Sequence, residues 1–178
     1  MPSPKYNPHY TVADYSGWEG DWELWRGVAV SMTPSPFGIH QKHLARLAHR
    51  FISALEKQGC VDCDLVVELD WVLGDDTVVR PDLSIVCGSD LQRFIDKAPT
   101  LVVEVLSEST KYKDQTAKYE LYEQQGVKYY LMAHPQNNTY DAFELKSGKY
   151  RSMQISPTMT FELEKHCIIE VSLEAPSP

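Results

Sequence analysis

The sequence has no uninterrupted apolar run of membrane-spanning length, so no transmembrane helix is expected. Its opening residues, Met1-Pro2-Ser3-Pro4-Lys5-Tyr6-Asn7-Pro8, lack the apolar stretch of a secretory signal. Both absences predict a soluble cytoplasmic protein with no membrane partner. Positive charge is scarce: 17 lysines and arginines face 25 aspartates and glutamates, a net charge of −8. Such a chain has no global attraction for nucleic acid or anionic lipid, which argues against a protein that coats DNA non-specifically. Any nucleic acid must be held by a local basic patch, a metal or a symmetric assembly.

With 4 cysteines in 178 residues, a disulfide scaffold is not expected. Cys60-Val61-Asp62-Cys63 has CxxC spacing, but Cys87 and Cys167 do not supply the second pair of a zinc site. The motif follows a helix instead of opening one, which argues against a redox role. Repeats, low-complexity tracts and Pro/Gly/Ser-rich internal linkers are absent too. One domain over 1–178 is therefore expected, with an ordered core at about 10–173.

What is present is ordinary globular material, 43% hydrophobic and 24% charged. Thr11 caps a short helix over Val12 to Tyr15. Trp22 to Met32 reads as a hairpin turning at Arg26-Gly27, followed by the breaker Thr33-Pro34-Ser35-Pro36. Leu44, Leu47, Ala48, Phe51, Ile52 and Leu55 recur at helical spacing, which predicts a long helix from about Ile39 to Gln58, stopped by Gly59. Strands are expected over Cys63 to Leu73, Thr77 to Val86 and around Glu104. A second helix, about Lys111 to Gln125, follows the capping candidates Ser107, Ser109 and Thr110, and Gly126 ends it. Val127 to Ala133, a hairpin over Thr139 to Ile155 and a short strand over Ile168 to Leu173 complete the order. Glu174 to Pro178 is expected to fray. Antiparallel strands around a central βαβ-like unit make the class α/β or α+β.

Two acids break this pattern. Leu101-Val102-Val103-Glu104-Val105-Leu106 places one carboxylate in an apolar strand, and Pro81-Asp82 opens another such run. A buried unpaired carboxylate costs several kcal/mol, comparable to the stability of a small domain, so it is retained only where something pairs with it. If the strands are neighbours, Asp82 and Glu104 converge on one hard cation. Magnesium suits them, because it accepts one or two carboxylates, keeps several waters and takes a further ligand from phosphate. Lys118, on the helix after the Glu104 strand, has Asp114, Leu121 and Tyr122 as its one-turn neighbours and flanks the face that docks on the sheet. It is the candidate to orient the attacking water or offset charge. The alternatives are a turn acid at Asp82, a structural Glu104–Arg80 pair and a solvated Lys118; only the three together point to chemistry. His40 and His43, one turn apart, have no acidic partner in sequence and are expected to face DNA or solvent. Trp18, Trp22, Trp25 and Trp71 are expected to pack, as are Tyr119, Tyr122, Tyr129 and Tyr130.

In this order, Pro81-Asp82, Glu104-Val105-Leu106 and Lys118 resemble the PD-(D/E)xK nuclease superfamily. More closely, the chain resembles the bacterial Uma-type family of restriction-endonuclease-like domains. The match runs through Trp22-Glu23-Leu24-Trp25-Arg26-Gly27, the His40-Gln41 helix start, Arg80-Pro81-Asp82-Leu83, Pro99 to Thr110, Asp114, Lys118 and Gly126-Val127-Lys128-Tyr129-Tyr130. The resemblance covers roughly residues 10 to 155. It implies a restriction-endonuclease-like mixed β-sheet flanked by helices, with additional antiparallel hairpins. It also implies a metal-dependent endonuclease that hydrolyses phosphodiester bonds in DNA. Asp82, Glu104 and the Val105 carbonyl would hold Mg²⁺, with Mn²⁺ as substitute. Asp82, Glu104 and Lys118 would be the catalytic set, with Glu23, His43 and Ser107 as accessory positions. Leu106 stands where the superfamily carries its lysine, and the family resemblance moves that role to Lys118. Cutting both strands calls for two sites, hence a homo-oligomer, a dimer or larger. The alternative is a catalytically degenerate nuclease fold acting as a nucleic-acid-binding or assembly module, which the acidic charge and the displaced lysine favour.

Overall fold

The computed structural model describes residues 8–32, 38–91, 93–107, 112, 114–164 and 166–174. Near the N-terminus, α1 (Val12–Tyr15) is closed by a capping box in which the Thr11 and Asp14 side chains each accept from the other's backbone N–H. Strands β1 (Trp22–Trp25) and β2 (Val28–Ser31) form the expected hairpin. Its two turn residues, Arg26 and Gly27, both have positive φ, which matches the twist of a two-residue hairpin. Gly27 is required there twice over, since a Cβ would meet the His9 ring 2.1 Å away.

The long helix α2 (Gly38–Gln58) buries His40, His43, Leu44, Leu47, Phe51, Ala54 and Leu55, a stripe at three- and four-residue spacing. It lies on one face of a six-stranded sheet. That sheet is built from β3 (Cys63–Val67), β6 (Leu83–Cys87), β7 (Leu101–Val105), β8 (Tyr129–His134), β9 (Thr139–Lys146) and β10 (Lys149–Ser152), in the order β10-β9-β8-β7-β6-β3. Among the described strands of this sheet only β7 and β8 pair in parallel, joined by the helical crossover that the βαβ reading anticipated. Successive side chains alternate between two cores. Leu83, Ile85, Leu101, Val103, Val105 and Leu131 face α2, whereas Val86, Val102, Leu106, Tyr130 and Met132 face the crossover. Both faces are covered, so the strands read as continuous apolar runs.

Four details of the sequence reading are corrected. The run from Cys63 to Leu73 is two strands: Glu68 takes a positive φ, and β4 (Trp71–Leu73) leaves the main sheet. It pairs instead with β5 (Thr77–Val79) in a second, four-stranded sheet ordered β2-β1-β5-β4. The run from Thr77 to Val86 likewise breaks at Arg80-Pro81-Asp82, where Pro81 has no N–H to give a ladder. Within the expected helix, Asp114–Lys118 is π-helical and leads into α3 (Tyr119–Gln125), while its expected start at Lys111 lies outside the described residues. The capping candidates Ser109 and Thr110, the breaker residues Thr33 to Pro36 and the tail from Ala175 lie outside the described residues.

A strand not anticipated, β11 (Thr158–Glu162), pairs with β12 (Ile168–Ser172) as a separate two-stranded sheet. Met159, Phe161, Ile169 and Val171 from this hairpin join the core beneath α2. The cysteines are the fourth correction. Cys60 pairs with Cys167 and Cys63 with Cys87, so the CxxC is neither zinc ligand nor redox pair but two halves of two different bridges. They tie the end of α2 to the C-terminal hairpin, and β3 to β6. Among the described residues no helix is long and apolar enough to cross a membrane.

Candidate active site

The broken run at Arg80-Pro81-Asp82 is the seam between the two larger sheets, and the anomalous residues gather there. Leu83 pairs with Val103, so one step further the antiparallel register sets Asp82 opposite Glu104. The strands are neighbours, and both acids therefore lie at the same end of them. Glu104 is 2% exposed and points with Val102 and Leu106 toward the crossover.

Lys118, at the last position of the π-helical turn, reaches back to that carboxylate. Its Nζ lies 2.7 Å from Glu104 Oε1, 3.5 Å from the Arg80 carbonyl and 3.7 Å from Glu23 Oε1. The widened π turn aims a long side chain inward at a point where a helix docks on a sheet, a placement common at functional sites. One turn further along, the Tyr122 hydroxyl donates to the same Glu104 oxygen at 2.7 Å. Burial first, and the neighbouring Glu104 second, hold the Tyr122 phenol well above its ordinary pKa, so it remains a donor. The Glu104–Arg80 pair considered as an alternative does not form. Arg80 instead gives its Nε to Asp70 at 2.7 Å and Nη1 to Asp21 at 2.9 Å. Those bonds raise its pKa in spite of the cost of burial.

Glu23 completes the interior cluster from the second sheet. It is fully buried on β1, accepts the Arg80 N–H at 3.0 Å through Oε1 and the Trp25 indole N–H at 3.0 Å through Oε2. Two buried carboxylates thus share the neighbourhood of one ammonium, a dense charge cluster for a protein interior.

Asp82 is the more accessible acid, with 18% of its side chain exposed. Its Oδ2 accepts the Val105 N–H at 2.6 Å and lies 3.3 Å from His40 Nε2. Burial disfavours the His40 cation, but the hydrogen bond and charge of Asp82, then Glu68 and the Val105 backbone, outweigh it and raise the pKa. The expectation that His40 and His43 face DNA or solvent is overturned, since both are buried. His43 packs at 3.1 Å against the Tyr140 hydroxyl on β9; the histidine at the acids is its predecessor by one turn, His40. The sequence carried no sign of which of the two would meet Asp82. Ser107, half-buried, lies two residues past the end of the Glu104 strand and has partners in the structure.

The donor chemistry suits a hard cation. Asp82, Glu104 and the Val105 carbonyl offer oxygens from neighbouring strands, and magnesium needs no more than one or two carboxylates beside its waters. Asp82 Oδ2 carries the local hydrogen bonds, which leaves Oδ1 for a ligand, and the buried His40 Nδ1 has no hydrogen-bond partner. Among the described residues, no three His, Cys, Asp or Glu side chains form a ready-made cage. A cation held here would need its remaining ligands from water and substrate.

Residues 12–174 match the family model described as "Uma2: Putative restriction endonuclease". No curated protein matches the chain. Among solved structures, it is similar to one described as "a putative nuclease belonging to DUF820" from Anabaena variabilis ATCC 29413. The two are 15% identical with a TM-score of 0.70, over 89% of this chain and 91% of the other. At that identity the likeness shows a shared fold.

Proposed function

The chain belongs to the Uma2 family, described as putative restriction endonucleases, and from that membership and the seam geometry we propose that it is a metal-dependent nuclease that hydrolyses phosphodiester bonds in DNA. The observation that supports this reading is the Lys118–Glu104 pair, 2.7 Å apart, with the strand register setting Asp82 opposite Glu104. Asp82, Glu104 and the Val105 carbonyl would hold Mg²⁺, or Mn²⁺ in its place. The ion would supply a bound water of lowered pKa and a positive charge beside the scissile phosphate.

The protein's own groups orient and balance charge around that chemistry. Val105 N–H and His40 fix one oxygen of Asp82 and leave the other for a ligand. Tyr122 and Lys118 hold Glu104 on the inner side. Glu23 and the Arg80 carbonyl in turn steady the Lys118 ammonium, which would offset negative charge as it develops on the phosphoryl oxygens. Hydrolysis joins the water oxygen to phosphorus and breaks the bond to a sugar oxygen, which leaves with a proton. A homo-oligomer would present two such sites to two strands.

A second reading has one observation in its favour. Glu104 Oε1 already receives two hydrogen bonds, from Lys118 and Tyr122, so the fold retains this carboxylate without an ion. That would suit a degenerate nuclease fold kept for binding or assembly. Incubating the protein and its Asp82→Ala variant with supercoiled plasmid, linear duplex and single-stranded DNA in Mg²⁺ or Mn²⁺ separates the two. Cleavage by the wild type alone supports the nuclease. Equal cleavage by both, or none by either on any substrate, contradicts it.

A further inference from the structure

Beside the seam lies a cavity of about 380 Å³, within the range of small-ligand sites, that the chemistry above does not use. Its wall is aromatic. Trp18 stands edge-on to Tyr15 at 5.4 Å and to Trp22 at 5.9 Å, and Phe94, 47% exposed, completes the rim. Its floor is polar and hydrogen-bonded. Asp70 accepts from the Tyr15 hydroxyl at 2.8 Å and from Arg80 Nε at 2.7 Å. Burial and Asp70 push the Tyr15 phenol up to about 12, so it stays a donor. Arg93, on the rim, is exposed and has no hydrogen bond or ion pair among the described residues. In a chain of net charge −8, a cation left without an acid beside four aromatic rings is a local departure from the overall field.

Arg80 joins this cavity to the candidate active site. Its guanidinium lines the cavity, while its N–H and carbonyl hold Glu23 and Lys118. Asp82 follows two residues later, and two residues of extended chain span at most about 7 Å. A strand whose phosphate lay at Asp82 would run past Arg80 to reach the cavity.

On the nuclease reading, we propose that the cavity is a subsite for an unstacked nucleobase adjacent to the scissile phosphate, with Arg93 meeting that nucleotide's phosphate. The substrate class is then single-stranded or locally opened nucleic acid. Aromatic rings beside a cation are the pattern that holds single strands, because every base has a face to stack. An intact duplex keeps its bases stacked and must extrude one to use such a cavity.

The test is binding without turnover. In EDTA, fluorescence anisotropy of a dye-labelled oligodeoxynucleotide is compared as a single strand, as a single strand with an abasic position moved along it, and as a blunt duplex. The expected result is single-strand binding about tenfold tighter than duplex, lost at one abasic position. Phe94→Ala and Arg93→Gln, both at exposed positions that leave the core intact, should each remove most of that preference. Equal affinity for the two forms, indifference to both substitutions, or no binding of either form overturns the proposal. Metal-dependent cleavage of duplex and single strand alike, unchanged in Phe94→Ala, would overturn the subsite and leave the nuclease standing. Single-strand binding through Phe94 with no cleavage in Mg²⁺ or Mn²⁺ would remove the nuclease reading and retain the cavity.

Discussion

Lys118 Nζ lies 2.7 Å from Glu104 Oε1, with the two side chains 4% and 2% exposed. A pair this deep is costly to break from one side, because the remaining charge stays buried. Lys118→Met is expected to lower unfolding free energy by about 3–5 kcal/mol in urea titrations. Pairing it with Glu104→Gln should restore part of that loss. If the double variant is no better than the single, the two side chains are not coupled as their distance implies. Lost cleavage in Lys118 variants therefore bears on mechanism only in protein whose unfolding transition is intact.

Tyr122→Phe removes one donor from Glu104 Oε1 and leaves the ring packing on Trp71 and Tyr130 in place. The expected loss is about 1–3 kcal/mol, the usual cost of a buried acceptor deprived of a partner. Thermal unfolding reads it directly, and an unchanged midpoint would mean the hydroxyl contributes nothing to holding the carboxylate.

Asp82→Asn should separate function from stability. The side chain is partly exposed and its local structural bonds are with Val105 and His40. Stability should change by no more than about 1–2 kcal/mol, while cleavage falls on the order of a hundredfold or more. A variant that cuts as well as the wild type would remove Asp82 from the site.

His43 gives the pH dependence a definite sign. Burial first, then the positive fields of Arg50, Arg46 and His40, lower its pKa below the ordinary 6.5. The unfolded chain therefore binds a proton at a pH where the native state does not. Stability from this group is present above about 6.5 and is lost as pH falls toward the depressed native value. In urea titrations between pH 7.5 and 5.5, His43→Gln should flatten that decline relative to the wild type. A steeper decline in the variant would reverse the sign and contradict the burial argument.

The two disulfides make a prediction about compartment as well as stability. Disulfides persist where the surroundings oxidise and are rare in a reducing cytosol. Alkylation before lysis, followed by mass analysis, reads which state the cell maintains. For oxidised protein, reduction should lower unfolding free energy by about 3–5 kcal/mol for the Cys60–Cys167 bridge, whose sequence separation is 107, and by less for Cys63–Cys87 at 24. Equal losses from Cys167→Ala and Cys87→Ala would contradict the loop-length argument.

Much of this architecture could be read from residue spacing. The stripe from Leu44 to Leu55 specified α2, and the acids Asp82 and Glu104 stood out because they interrupt apolar strands. What could not be read was the point at which one apolar run passes from one sheet to another. Val67, Trp71, Val79 and Leu83 are equally good strand formers on either side of the seam, and the positive φ of Glu68 has no signal in a non-glycine residue. β11 did carry a signal, the alternation Thr158-Met159-Thr160-Phe161-Glu162, but five residues of alternation are too short to stand apart from a polar loop. Four cysteines allow three pairings, and spacing does not choose among them. Nor does helical spacing decide between His40 and His43; packing alone brought the first to Asp82 and the second to Tyr140.

The central claim is that the two strand acids share a divalent ion, and isothermal titration of Mn²⁺ into metal-free protein tests it most directly. Binding of one ion per chain, abolished by Glu104→Gln and by Asp82→Asn in protein that still unfolds cooperatively, is the predicted result. Absence of binding, or binding unchanged in both variants, would contradict it.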